Sequence, residues 1–480
     1  MKNKYLIFSV CLALVSILAD THLLYSMGTE HADKLSELRY KSGHGDAEAQ
    51  YKLGVLYASG NGIAQNYSEA AKWWRLSAQQ GFVAAQYNLG VMYGNGRGVE
   101  QNDAEAVKWW RLAADQGHSA AQYNLGLHYA SGKGIAQDYS LAVKWWHLAA
   151  DQGDAEAQYN VGASYIEGRA VEQSDAEAVK WWRLSAQQGY APAQYYLGTM
   201  YASGQGVGRN KTEALKWIRL SAEQGYALAQ FTLGIWYDIG DGIEQDFSQA
   251  VKWQRLAAEQ GFVQAQCSLG SMYSKGWGVE QNFAEAIRLW RLAAAQGSAF
   301  AQYNLGVMYN KGRGVEQNFA EAVKWWRLAT AQNSKESSHN FFPGQNEQIW
   351  RQTELQGVIT SQYNLGLMYL SGEGIKQNNA EAVKWWRLAA DQGNAEAQYN
   401  VGVSYFHGRA VEQSDAESVK WWRLAADQGN AEAQYSLGVM YGTGNGVKQD
   451  DSESDKWLQL SGKQGYAPAQ KLLNKLKEKP

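Results

Sequence analysis

A glutamine returns every 36 residues along most of this chain, and that register restricts the fold more than any other feature. It stands at Gln50, Gln86, Gln122, Gln158, Gln194, Gln230, Gln266 and Gln302, then at Gln362, Gln398, Gln434 and Gln470. Only the step from Gln302 to Gln362 is longer, one period with an insertion added. A fixed period of this length marks a repeat array, in which each unit buries its apolar face only against its neighbours. The 480 residues are therefore read as one extended array rather than several globular domains.

Each repeat reads as two helices. Around Gln86, residues Ala85, Leu89, Met92 and Tyr93 fall on one stripe at helical spacing, and Gly90 lies beside it, where it lets a second helix approach. Gly94, Gly96 and Gly98 read as a helix stop followed by a turn with positive φ. The second helix starts at Asn102, with Glu105 three positions on in the manner of a capping box; Ser174 with Glu177 and Ser414 with Glu417 repeat it. Ala106, Trp110, Ala113 and Ala114 share its inner face with Trp109 at the edge, while Lys108, Arg111 and Asp115 gather opposite, the last two one turn apart. Gln116-Gly117 closes it. Such punctuation accounts for 50 glycines and 4 prolines, where average usage gives roughly 34 and 24.

The Ala-x-Tyr-x-Leu-Gly-x-x-Tyr run, the Gly-x-Gly-Val loop, the Ala-x-x-Trp helix and the 36-residue step resemble Sel1-like repeats. These are related to tetratricopeptide repeats, which step by about 34 and usually carry a proline at the unit end that is missing here. The resemblance runs from about Asp46 to Leu476. It implies an all-α fold, an α/α right-handed superhelical solenoid of eleven or twelve repeats. It also implies a protein-interaction scaffold, of a kind found among exported bacterial proteins of cell-envelope and signalling assemblies.

The organisation that follows is a leader over 1–28, a capping helix over 29–45, repeats over 46–333, an insertion at 334–357, repeats over 358–465 and a lysine-rich capping helix over 466–480. Lys2 and Lys4 precede an uncharged run from Tyr5 to Ala19, the charged and apolar regions of a secretory signal. The run is short for a membrane span, which takes about 20 apolar residues. This predicts a periplasmic or secreted protein, touching a membrane only if the leader stays uncleaved. Cys11 falls in the leader, which leaves Cys267 as the one mature cysteine and no internal disulfide.

The first helix of similar repeats lines the groove, so its Tyr-Asn pairs are the candidate recognition residues: Tyr87-Asn88, Tyr123-Asn124, Tyr159-Asn160, Tyr303-Asn304, Tyr363-Asn364 and Tyr399-Asn400. Asparagine amides both donate to and accept from a peptide backbone, and tyrosine adds rigid amphipathic area. The alternative is that each tyrosine packs on the next repeat and each asparagine serves a helix end. Tyr196, Thr232 and Ser268 replace the asparagine in mid-array. In the insertion, Phe341, Phe342 and Trp350 are candidates for a separate partner contact. Eighteen of the 21 tryptophans fill paired second-helix slots and read as core; Trp236, Trp277 and Trp350 fall outside them.

The remaining chemistry is sparse. Eight histidines lie in unrelated slots, no zinc spacing exists, and no His-Glu-x-x-His or nucleophile elbow is present, so no catalytic, metal or cofactor residues are assigned. A net charge of −3 argues against a nucleic-acid partner, leaving a protein or peptide; the sequence does not give an oligomeric state. The Gly-x-Gly-x-Gly loops follow helices rather than strands and read as turns, not phosphate cradles. The alternative function is a cell-wall glycan- or β-lactam-recognising protein with weak hydrolase activity, since a cysteine-rich branch of the resembled family is associated with β-lactams. That branch's disulfide in each repeat is missing here.

Overall fold

A computed structural model describes residues 28–331 and 345–477. Among them are 24 helices and no strand. A leading helix, Gly28–Gly43, is followed by pairs in which a first helix such as Val83–Asn95 packs against a second such as Asp103–Asp115. Consecutive pairs stack as an α/α solenoid, and the array groups into two compact halves, one ending at Ala229 and the other beginning at Gln230.

The local signals act largely as the sequence predicts. Gly96 caps the first helix in the left-handed region at φ 65°, and Gly98 continues the turn at φ 70°. Asn102 accepts the backbone N–H of Glu105 at 3.0 Å, and Gly117 follows the second helix at φ 87°. Three details differ. Gly94 stays inside the helix, where its missing side chain makes room for the Trp110 ring, 3.1 Å from where a Cβ would lie. The Glu105 carboxylate does not reach back to complete a capping box; it pairs with Lys108 one turn on. Arg111 crosses to the hydroxyl of Tyr129 in the next repeat instead of pairing with Asp115, and Arg75 makes the same bond to Tyr93 at 2.7 Å.

Packing explains why the glycine and glutamine of the anchor recur. A Cβ on Gly90 would lie 2.6 Å from the Trp110 indole, and one on Gly306 would lie 2.4 Å from that of Trp326. The indole of Trp326 meanwhile donates to the Tyr303 carbonyl at 3.2 Å, so the ring is locked against the first helix. Most of the anchor glutamines are buried and work in two directions. Gln86 accepts from Gln116 at 2.8 Å within its own repeat, and its Nε2 donates at 3.2 Å to the Ala78 carbonyl of the repeat before. The same pair of bonds recurs at Gln158 and Gln398. Buried amides favour satisfied partners, and the 36-residue register brings both partners to these glutamines.

The insertion departs from the pattern. Gln345–Ser371 is one continuous helix of 27 residues, so residues 345–357 extend the first helix of the ninth repeat instead of forming a separate element. The lysine-rich tail forms the helix Ala467–Lys477.

Candidate functional site

Several tyrosines of the first helices reach one of two positions in the following repeat. One is the start of the next first helix. Tyr51 meets Phe82 there at 5.0 Å between ring centroids, Tyr87 stacks on His118 at 4.6 Å, and Tyr159 meets Tyr190 at 5.5 Å. The other is the asparagine slot of that same helix. Tyr87 hydrogen-bonds the Asn124 side chain, and its hydroxyl is pushed up to about 12 by burial. Tyr363 bonds Asn400 in the same way, and Tyr399 bonds Ser436. The tyrosine of one repeat is thus brought to the asparagine of the next, and much of the proposed recognition pairing is spent on stacking the repeats.

The other candidates are distributed unevenly. Asn88 is buried, and its Nδ2 has no hydrogen-bond partner among the described residues. Asn304 donates to the Phe300 carbonyl of its own helix at 2.8 Å, leaving Tyr303 half-buried beside it. Asn160 and Asn364 are half-buried in their slots. Where Tyr196 replaces asparagine, its ring takes over the contact with Tyr159 at 5.8 Å and also meets Trp182 at 5.2 Å. Tyr123 has no aromatic at its partner position in the next first helix, which is Asp154; its hydroxyl bonds Glu156 instead. Desolvation holds both Asp154 and Glu156 above the usual carboxylate range and Tyr123 well above the usual phenol range.

One site escaped the sequence reading. Cys267 occupies a tyrosine slot and Ser298 its partner slot in the next repeat, with Sγ and Oγ 3.3 Å apart. The extended helix enters the space that two rings would fill. Glu354 accepts from Ser298 Oγ at 2.7 Å, from the Ala299 N–H at 2.6 Å and from the Phe300 N–H at 3.2 Å, completing the cap of the helix Ala299–Lys311. Trp350 packs into the cluster of Val263 and Cys267, with its ring edge-on to Phe300 at 6.4 Å. Gly357 permits the approach, since a Cβ there would lie 2.9 Å from the Phe300 Cα. Trp350 is therefore half-buried within the chain rather than presented to solvent, while Phe341 and Phe342 lie outside the described residues. Burial raises the Cys267 thiol, which keeps it protonated and chemically quiet.

A signal for this site was available. Counting back from Gly357, Trp350-Arg351 and Gln356-Gly357 have the spacing of Trp74-Arg75 and Gln80-Gly81, so the insertion ends in a second-helix sequence that runs straight on. A further regularity lies on the second helices, where Leu76, Leu112, Leu184, Leu292 and Leu424 are exposed at one shared slot. Among the described residues no cluster of metal-ligating side chains occurs, and no helix is long and apolar enough to cross a membrane.

Comparison with known proteins agrees with this geometry. The Sel1 repeat family matches eleven stretches, eight in series from 47–82 to 299–334 and three more at 359–394, 395–430 and 431–466. Among solved structures, the protective antigen c5321 of uropathogenic Escherichia coli, which displays an SLR fold, is 34% identical with a TM-score of 0.76, over 91% of this chain and 90% of that one. A Sel1 repeat protein from Oxalobacter formigenes is 32% identical with a TM-score of 0.54, over 69% of this chain and 90% of its own. No curated protein matches.

Proposed function

The chain belongs to the Sel1-repeat family, and from that premise we propose that it is an exported scaffold that binds a protein or peptide along its first-helix face. In this reading it acts as an adaptor in a bacterial cell-envelope or signalling assembly, without catalysis of its own. Comparison of the repeats with one another carries the proposal. The anchor glutamine, the leucine or valine after it, its glycine and the second-helix alanines are near-constant and buried. Variation concentrates at the start of the first helix, where successive repeats carry Phe82, His118, Asp154 and Tyr190, and in the asparagine slot. A constant frame with changing side chains on one face is what a scaffold needs in order to set different chemistry along its length. The basic, apolar leader supports export.

Photo-reactive side chains placed at Tyr159 and Tyr363, and separately at Leu112 and Leu424, test the face in living cells. Adducts from the tyrosine positions are expected; adducts from the leucine positions alone, or none, would refute it. Residues 1–28 fused to a reporter active only after export test the leader, and a silent reporter removes that part of the proposal.

A further inference from the structure

We propose that the tyrosine run between Tyr123 and Tyr226 is a docking surface for a basic peptide segment, with a lysine or arginine side chain seated at Asp154 and Glu156. This rests on the scaffold reading above and names the partner chemistry of one stretch of that face. The surface is continuous. Trp182 meets Tyr196, Tyr196 meets Tyr159 and Tyr195, and Tyr195 meets Tyr226, all at 5.0–5.8 Å between centroids. Tyr190 joins this run through Tyr159, and Tyr123 lies within the electrostatic reach of Tyr190, Asp154 and Glu156. Trp182 and Tyr195 are buried beneath this run, while the half-buried rings of Tyr123, Tyr159, Tyr190, Tyr196 and Tyr226 supply cation–π attraction and rigid contact area at little entropic cost.

Charge selects the occupant. Asp154 spends its carboxylate on the Ala157 N–H at 2.8 Å and on the backbone N–H of Glu156, while Glu156 bonds the neutral Tyr123 hydroxyl; among the described residues no base pairs with either. The first repeat shows what is missing. There the equivalent Glu48 pairs with Lys52 at 2.7 Å, whereas Asn160 stands where that lysine would be. Two desolvated carboxylates beside aromatic faces are stabilised by an incoming cation, which favours their ionised form. Because their proton affinity is raised, cation binding strengthens as pH climbs through that raised carboxylate range and weakens below it.

Fluorescence anisotropy on the full chain, with a labelled twelve-residue peptide carrying four arginines spaced by glycine and serine, provides the test. Its glutamate counterpart, an uncharged counterpart and a chitooligosaccharide are run beside it. The arginine peptide is expected to bind, to weaken with salt and acid, and to lose at least tenfold in Asp154→Asn with Glu156→Gln. Tyr159→Ala with Tyr196→Ala should also weaken it. Glu105→Gln with Glu177→Gln should leave it unchanged, with melting curves confirming that every variant is folded. No binding of the arginine peptide, or equal binding by the carboxamide double variant, overturns the proposal. Preference for the acidic peptide, the uncharged peptide or the glycan overturns it too. Capture of the acidic or uncharged peptide that is lost on Tyr159→Ala would leave the scaffold reading standing.

Discussion

The pair Tyr159–Tyr190 in the N-terminal half and the pair Cys267–Ser298 in the C-terminal half occupy the same two slots of the repeat with opposite results. In the first, two rings meet at 5.5 Å and belong to an aromatic surface open to solvent on one side. In the second, a thiol and a hydroxyl meet at 3.3 Å, and the vacated volume is filled by the chain's own helix through Glu354 and Trp350. The backbone frame is shared, so side-chain volume at two positions decides whether the slot is self-contained or accepts an added helix. This tolerance is expected of a solenoid, because each repeat contacts only its neighbours and a local exchange need not propagate.

The most disruptive way to break the comparison is to write the first pair into the second. In Cys267→Tyr with Ser298→Tyr, two new rings compete with Trp350 for the same space, and Glu354 loses its hydroxyl donor. Overpacking of a filled site costs about 1–3 kcal/mol, and displacing a packed tryptophan costs about 3–5 kcal/mol. The helix extension should detach, seen as rapid hydrogen exchange in the peptide spanning 350–357 while the peptides around Trp182 keep their protection. Retained protection at 350–357 would show that the vacated volume is not what holds the extension.

Glu354→Ala is a gentler cut through the same contact. It removes three hydrogen bonds and exposes no new charge, so about 1–3 kcal/mol of local protection should be lost at 350–357. Acidity acts with the opposite sign. Burial raises the Glu354 carboxyl, with Ser298 and the two N–H groups opposing it, so the docked helix holds its proton more tightly than the detached one. Docking is therefore fully favoured below the ordinary carboxylate range and weakens as pH rises through the raised one. The thiol of Cys267, the other titratable group at the site, stays neutral throughout because burial raises it. Exchange at 350–357, corrected for the intrinsic rate, should slow on acidification, and Glu354→Gln should flatten the trend. A wild-type profile as flat as that of the variant rejects the carboxyl as its source.

The solenoid was legible because its determinants are local and repeated. A glycine that admits a tryptophan, a cap residue and an αL glycine can each be read within a single repeat. The partners of long side chains were not legible, since they lie in the next repeat. Arg111 therefore found Tyr129 rather than Asp115, and Tyr87 found Asn124 rather than a ligand. The contact of Glu354 with Ser298 spans 56 residues across the interruption, where the register that made everything else readable is broken. Its only trace in the sequence was the loss of a tyrosine at Cys267 and the second-helix spacing at Trp350-Arg351.

The smallest effect tests the premise of the comparison, that the backbone is held constant while side chains change. Ala170 in the N-terminal half and Ala410 in the C-terminal half replace the second loop glycine, yet keep φ at 59° and 58°. A left-handed alanine costs about 1–2 kcal/mol, while glycine gives back about 0.4–1 kcal/mol through the greater freedom of the unfolded chain. Space adds to the alanine penalty: at the equivalent Gly98, a Cβ would fall 2.3 Å from the backbone of Tyr67. Ala170→Gly and Ala410→Gly should therefore each stabilise their region by about 0.5–1 kcal/mol, and by the same amount in both halves. Chemical denaturation followed with exchange at each loop reads this directly. A loss of stability in either variant would mean that the turn is not the fixed element, and that the two halves differ in backbone as well as in side chains.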